Sequence, residues 1–433
     1  MDTSLIVHHI DAAIRHDRKA RRLLIPVAPP SETIPVHAGD ALQPIIDAAL
    51  DYAVLDIEPA TYPGSIVLHK PITLQSRAAR RSGRATATSA GVEILGSGNE
   101  AITVTGPYVT LHGIGGRNDN PSGQIIGVVG AAFAMDYCTL LGHADQGQHR
   151  GLMLQGDGAV IEASFIDDCF SIGRDAQAIS GWDGTHHVLI DDCHLGGGAQ
   201  SIMFGGGDST SADRMPTDIT VTRCLLTKNP RWFDLHAQIK CALELKCVNG
   251  FVMTDCTLEY AGISEGQSAY VIVLSVRNQD GGAPWSTVRS VTIQRCLGRY
   301  GGGAINIAGS DNEHPSGTMD DVLFEDVCFT DIDPAVWKGA GKGVQFQMGP
   351  EHVTLRNITL DMKNMGSNLY LIPPPLTGLV LQNLKMTPSE YGGEEGMKID
   401  AGGSGQQAWK DLMPDAIIDI TPDDTGASGY PTA

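Results

Sequence analysis

Asp183, Asp208, Arg277 and Asp280 are the side chains of this sequence best placed to do chemistry. Each stands in a glycine-bearing turn at the end of an apolar run. Two or three carboxylates gathered from neighbouring segments can supply the acid and the base or nucleophile that cleave a glycosidic bond. Packed more closely, carboxylates can cage Ca²⁺ through oxygen ligands. His186, His187, Asn278, Asp311, Glu313 and His314 occupy turns of the same kind. Trp182, beside Asp183, suits stacking on a sugar ring. With Trp232 and His236 in an inserted segment, and with His314, it forms the expected glycan-binding set. Plainer readings stand beside these. Asp before Gly is an ordinary turn residue, Arg277 can pair with Asp280, and Trp232 can pack over the body.

Other chemistries fail on spacing. The Gly205-Gly-Gly-Asp208 run is followed by neither a helix nor a Lys-Ser/Thr pair, so it is no phosphate cradle. Cys241 and Cys247 have no histidine pair near them, and no metal site is expected. No nucleophile elbow of the Gly-x-Ser-x-Gly type is found.

The elements that must position these turns are repeats. VLIDDCHL, ITVTRCLL, FVMTDCTL and VTIQRCLG end at Leu195, Leu226, Leu258 and Gly298, and VLFEDVCF, VTLRNITL and LVLQNLKM continue the series. Each is an alternating strand, a small polar residue and an apolar pair. Cys193, Cys224, Cys256 and Cys296 hold one place, Cys328 is displaced by one, and Asn357 and Asn383 are expected to take that place later. Cys138 and Cys169 read as earlier members. Intervals of about 24 to 40 residues fit one solenoid coil plus variable loops. One coil cannot bury its inward side chains alone, so coils stack and like residues align. The expected fold is therefore all-β: a single-stranded parallel β-helix. Its cysteines are reduced, buried thiols at a tight corner.

Composition agrees. The 52 glycines and 6% aromatic content suit many short strands joined by tight turns. A formal charge of −20 argues against a nucleic-acid partner, because phosphate neutralisation needs a basic face. It also counts against an acidic polysaccharide. No segment is long and apolar enough to span a bilayer, so no membrane partner is expected.

Three regions are expected: 1–38, an amphipathic helix and docking arm; 39–388, the solenoid; 389–433, a Gly-rich acidic tail. Arg15, Arg18, Lys19, Arg21 and Arg22 form the docking cluster, and no secretory signal precedes them. Asp40 is expected to cap a helix that covers the open end of the stack, and AIIDI (residues 416–420) to add one late strand.

The motifs MFGGGD, KCALELK and SVRNQDG, within residues 175–360, resemble a bacterial and phage family of parallel β-helix proteins of the pectate-lyase-like superfamily. The resemblance implies a right-handed coil. It carries over no catalytic residues, and the cysteine ladder departs from the asparagine more usual in relatives. The fold does not choose between two main roles, with a plain cytoplasmic scaffold as a third. One is a virion structural protein: a decorating, fibre or spike module made in the host cytoplasm, joined to other virion proteins or copies of itself, and touching host polysaccharide. The other is a polysaccharide lyase or hydrolase, needing Ca²⁺ only if it is a lyase. The first is the expectation, with no cofactor.

Overall fold

The computed structural model describes residues 29–262, 269–339, 341–387, 398–399 and 406–420. The five docking residues, Arg15 to Arg22, lie outside this set, as does the helix expected around them.

Short strands coil into three parallel sheets. Sheet I begins with Thr33–Val36, Ala53–Ile57 and Ile72–Ser76, and runs through His186–Asp191, Thr217–Thr222, Val248–Thr254 and Val288–Gln294. Sheet II includes Phe165–Cys169, His194–Gly197, Leu225–Thr227, Thr257–Ala261 and Leu297–Gly301. Sheet III includes Glu100–Val104, Gln124–Val128, Arg150–Leu154, Gln177–Gly181, Gln200–Phe204, Leu243–Leu245, Tyr270–Ser275 and Gly303–Ala308. Each coil visits I, II and III in turn and then pairs with the coil before it. Parallel strands joined by crossovers coil right-handed in nearly all cases, as this chain does.

Alternation decides what is inside. Ile161, Ile190, Val221, Met253, Ile293 and Phe324 lie in one register column of sheet I, all buried. Each such side chain removed from water contributes about 1.5–3 kcal/mol.

The I–II corner is built from one left-handed residue followed by one small buried residue. Asp192, Arg223, Asp255 and Arg295 have φ of 53°, 54°, 56° and 49°, and Cys193, Cys224, Cys256 and Cys296 follow them. Each thiol donates to the carbonyl two residues back, as Cys193 Sγ does to Asp191 O at 3.3 Å. All nine cysteines are free and buried. Burial pushes the Cys138 thiol up to about 12.

Two ladder assignments shift. Asn357 and Asn383 occupy the left-handed position (φ 54° and 52°), one residue before the cysteine column, where Asn tolerates the backbone best. Asn383 Nδ2 donates to Asn357 Oδ1, and Asn357 Nδ2 to Asp326 Oδ1, both at 2.9 Å. Cys169 ends a sheet II strand, and Ser164 holds the ladder place in that coil.

Helix Leu42–Ala48 buries Leu42 and Ile46 in the core. Its N-cap is Ala41, with no side-chain bond, because Asp40 instead accepts from His37 N at 2.8 Å. Strand Thr33–Val36 already pairs with Ala53–Ile57, so the stack starts inside the segment read as an arm. At the far end Ile417–Ile420 pairs in parallel with Val380–Met386. Trp409 is buried with its ring centroid 6.0 Å from that of Phe346. Among the described residues no helix is long and apolar enough to cross a membrane.

Candidate functional site

Sheet III carries polar side chains on its outward face in three register rows. The first is Gln124, Arg150, Gln177 and Gln200; the second is Met153, Ser180, Met203 and Glu244; the third holds Trp182 and Lys246. Gln177, Gln200 and Ser180 face outward yet are fully buried. The face is therefore recessed beneath longer side chains and the loops on both sides.

Amides tie the floor together. Arg150 Nε donates to Gln177 Oε1 at 3.2 Å, Gln177 Nε2 to Gln200 Oε1 at 2.8 Å, and Gln200 Nε2 to Glu244. Lys240 pairs with Asp175 at 2.8 Å, and Lys246 lies 3.7 Å from Glu244. The Arg150 guanidinium sits 5.1 Å from the Trp182 ring centroid. Loop 205–216 lies against that indole at Gly207, and it leaves the strand at Gly205, where φ is 85° and a Cβ would come 2.5 Å from Cys247 N.

The expected catalytic set is gathered in the III–I loops, where it lashes one loop to the next. Asp183 accepts from Thr210 N at 2.9 Å and pairs with Arg214 at 2.9 Å, holding loop 205–216 down. Burial raises its pKa, but the Arg214 and Thr210 bonds outweigh that and leave it below the usual carboxylate range. Asp208 Oδ2 accepts from Asp280 N at 3.1 Å and Gly282 N at 2.8 Å, across the short intervening turn at Lys246. Asp208 Oδ1 is buried and has no hydrogen-bond partner among the described residues. The Asp280 side chain is exposed at the turn. Arg277 does not pair with Asp280; it donates to Asp311 at 3.1 Å. His314 Nδ1 lies 3.0 Å from Asn278 O, and its ring packs where a Cβ on Gly281 would be.

The glycan-binding set separates. Trp182 borders the floor. Trp232 is fully buried, stacked on Phe170 with centroids 5.2 Å apart, and its Nε1 donates to Asp168 Oδ1 at 3.2 Å. It cannot meet a sugar, because Phe170 and Ile239 already close a satellite core around it. His236 is exposed on the same loop, away from the III–I turns that hold His314. The row Gln124, Arg150, Gln177 and Gln200 and an aromatic corner between sheets II and III were not among the expected site residues. There Tyr260 and Tyr300 stack at 4.9 Å, with Trp337 and Phe233 beside them. Both tyrosines hold one left-handed place (φ 63° and 62°). The recurrence of LEYA and GRYG was the signal for it.

Among the described residues, Asp320, Glu351 and His352 bring three possible ligand atoms within 4.8 Å of one another. His352 Nδ1 is hydrogen-bonded to Asp320 Oδ1 at 2.8 Å, which accounts for the approach of those two.

No family model matches this chain, and no curated protein matches it. Solved structures do. An alginate lyase from Paenibacillus sp. is similar at 12% identity over 83% of this chain and 96% of that one, with a TM-score of 0.42. A tailspike of Acinetobacter baumannii bacteriophage Fri1, a capsular polysaccharide depolymerase, is similar at 11% identity over 91% and 65%, with a TM-score of 0.44. A polygalacturonase from Erwinia carotovora is similar at 11% identity over 84% and 95%, with a TM-score of 0.42. At these values the likeness carries no ligand or reaction over to this chain.

Proposed function

We propose that this chain is a glycan-binding β-helical module whose binding surface is the outward face of sheet III. The observation that carries this reading is a recessed, amide-rich floor with one indole at its edge. Gln177 and Gln200 are fully buried and bonded to each other, so the groups within a sugar's reach are the half-buried heads of Gln124, Arg150, Glu244 and Lys246, with the Trp182 indole beside them for the apolar side of a pyranose. The role proposed is non-catalytic. Asp183 is spent on loop anchoring, and so is one oxygen of Asp208, while Arg277 holds Asp311. We propose further that the basic N-terminal segment joins the body to a virion.

Titration of the purified protein with an array of immobilised oligosaccharides tests the first part. Binding that Trp182→Ala weakens at least tenfold supports it, and binding untouched by that change refutes the location. Shortening of any bound polysaccharide would overturn the non-catalytic role. Deleting residues 1–28 should leave a folded body that no longer joins its particle; continued incorporation would overturn the docking role.

A further inference from the structure

Arg150 is the cation on the sheet III floor with no carboxylate in ion-pair contact; Asp175, paired with Lys240, attracts it only from longer range. Every carboxylate around it is already engaged. Asp175 pairs with Lys240 at 2.8 Å, Glu244 takes Gln200 and Lys246, and Glu100 accepts from Gln124 at 2.7 Å and from Thr103. Among the described residues no carboxylate lies within ion-pair distance of Arg150. Its partners are neutral: Gln177 Oε1 at 3.2 Å, His149 Nδ1 at 3.4 Å and the Trp182 ring. Burial, with the charges of Arg150 and Arg174, pushes His149 down to about 4, so it stays neutral beside the guanidinium. A partly buried cation without a counter-charge costs stability unless something else supplies the charge. Among the described residues nothing is hydrogen-bonded to the second amino group of the guanidinium, Nη2, although it belongs to the fork that binds oxyanions bidentately.

Resting on the glycan-binding reading above, we propose that Arg150 is an oxyanion subsite: it takes the charged group of an acidic glycan, whose sugar ring lies against Trp182. Arg174 adds a second positive charge nearby. The chain as a whole carries −20 and so does not attract a polyanion at long range. Selectivity therefore comes from this one contact, and it reads a single charged group per binding event.

The test uses the whole protein, with tryptophan fluorescence and calorimetry as readouts. The probes are uronate-containing, sulfated, phosphorylated and neutral oligosaccharides of equal length. The expected result is at least tenfold tighter binding of one acidic class over the neutral series. Arg150→Gln should abolish that preference by weakening acidic probes at least tenfold more than neutral ones, and Arg150→Lys should keep part of it. The class preferred says which oxyanion the fork takes. Arg150→Gln should also leave the melting temperature unchanged or raised, because it removes a desolvated charge. A lower melting temperature with unchanged acidic preference makes Arg150 a structural residue and overturns the proposal. Neutral and acidic probes bound equally overturn the subsite while the glycan surface stands. Binding of no probe at all overturns both.

Discussion

Lys228 offers the sharpest check on the energetics of this fold. It follows strand Leu225–Thr227, is 1% exposed, and donates from Nζ to Gly197 O at 2.7 Å. Burial lowers its pKa from 10.5 to about 7, with Cys241 acting weakly the other way. In the unfolded chain the amine holds its proton up to about 10.5. Folding therefore releases a proton between about pH 7 and 10.5, and stability rises with pH through that window. Below pH 7 the folded state bears the full cost. The gap from 10.5 to about 7, at about 1.36 kcal/mol per pH unit, is about 5 kcal/mol. Lys228→Met removes this cost but leaves the Gly197 carbonyl buried without its donor, a loss of about 1–3 kcal/mol. The variant should be about 2–4 kcal/mol more stable than the parent at pH 6 and equal or less stable at pH 10. Guanidinium unfolding midpoints of both proteins at the two pH values measure the difference. Unfolding rates serve if refolding is incomplete. Subtracting parent from variant cancels every other titrating group. An identical offset at pH 6 and pH 10 would refute the reasoning, because Lys228 would then carry its proton at both.

Ala132 stands in the left-handed region (φ 55°) at a III–I corner. Ala132→Gly should raise stability by about 1 kcal/mol, read as a higher unfolding midpoint. Trp232→Ala should cost about 3–5 kcal/mol of cavity energy and expose residues 229–240 to protease. Asp183 is held below its ordinary pKa, so its contribution is present above about pH 4 and is lost as pH falls through the lower folded value. Limited proteolysis should cut loop 205–216 in acid sooner than at pH 7, and Asp183→Asn should bring that cutting to pH 7. All nine buried thiols should resist a thiol reagent in buffer and react once guanidinium unfolds the chain.

The cysteine corner was legible in the sequence because it obeys a strict local rule. A left-handed residue and a small buried one follow each alternating strand, so the residue types repeat in register. The rule also explains the misplacement of Asn357 and Asn383. Asparagine serves the left-handed place, and Ile358 and Leu384 fill the volume that cysteine fills elsewhere. The sheet III floor was not legible, because the spacing between its members is set by loops. Arg150, Gln177 and Gln200 share a register row, but 27 and then 23 residues separate them. A weak signal was present: QIIGV, QAISG and QSIMF each open a sheet III strand with glutamine. Trp232 misled because a tryptophan in an inserted segment looks alike whether it faces solvent or seals a satellite core.

The geometry of the three corners decides where a binding surface can form. From Thr139–Leu141 to Cys328–Ile332, each sheet II strand begins after two corner residues, such as Asp192 and Cys193. No coil in that stretch inserts more, because a longer I–II connection would pull the thiol column out of register. The one long I–II connection, residues 77–91, comes earlier. It does not project; it lies down along the corner. Arg81 pairs with Asp136 at 2.8 Å, Ala85 N donates to Ala163 O at 2.7 Å, and Arg84 bonds Asp192 and Arg223 O. All other length variation falls at the II–III and III–I corners, the two that flank sheet III. Loops 229–240 and 333–339 lie on one side, and 205–216, 276–287 and 309–319 on the other. A groove needs two walls, and sheet III is the face with loops on both. Three glycines inserted between Asp192 and Cys193 should therefore abolish folding. The same insertion between Asn312 and Glu313, an exposed turn, should be tolerated within about 1 kcal/mol by loop-closure entropy. Equal tolerance at the two positions would show that the corner does not set the register, and the assignment of the binding surface to sheet III would lose its structural cause.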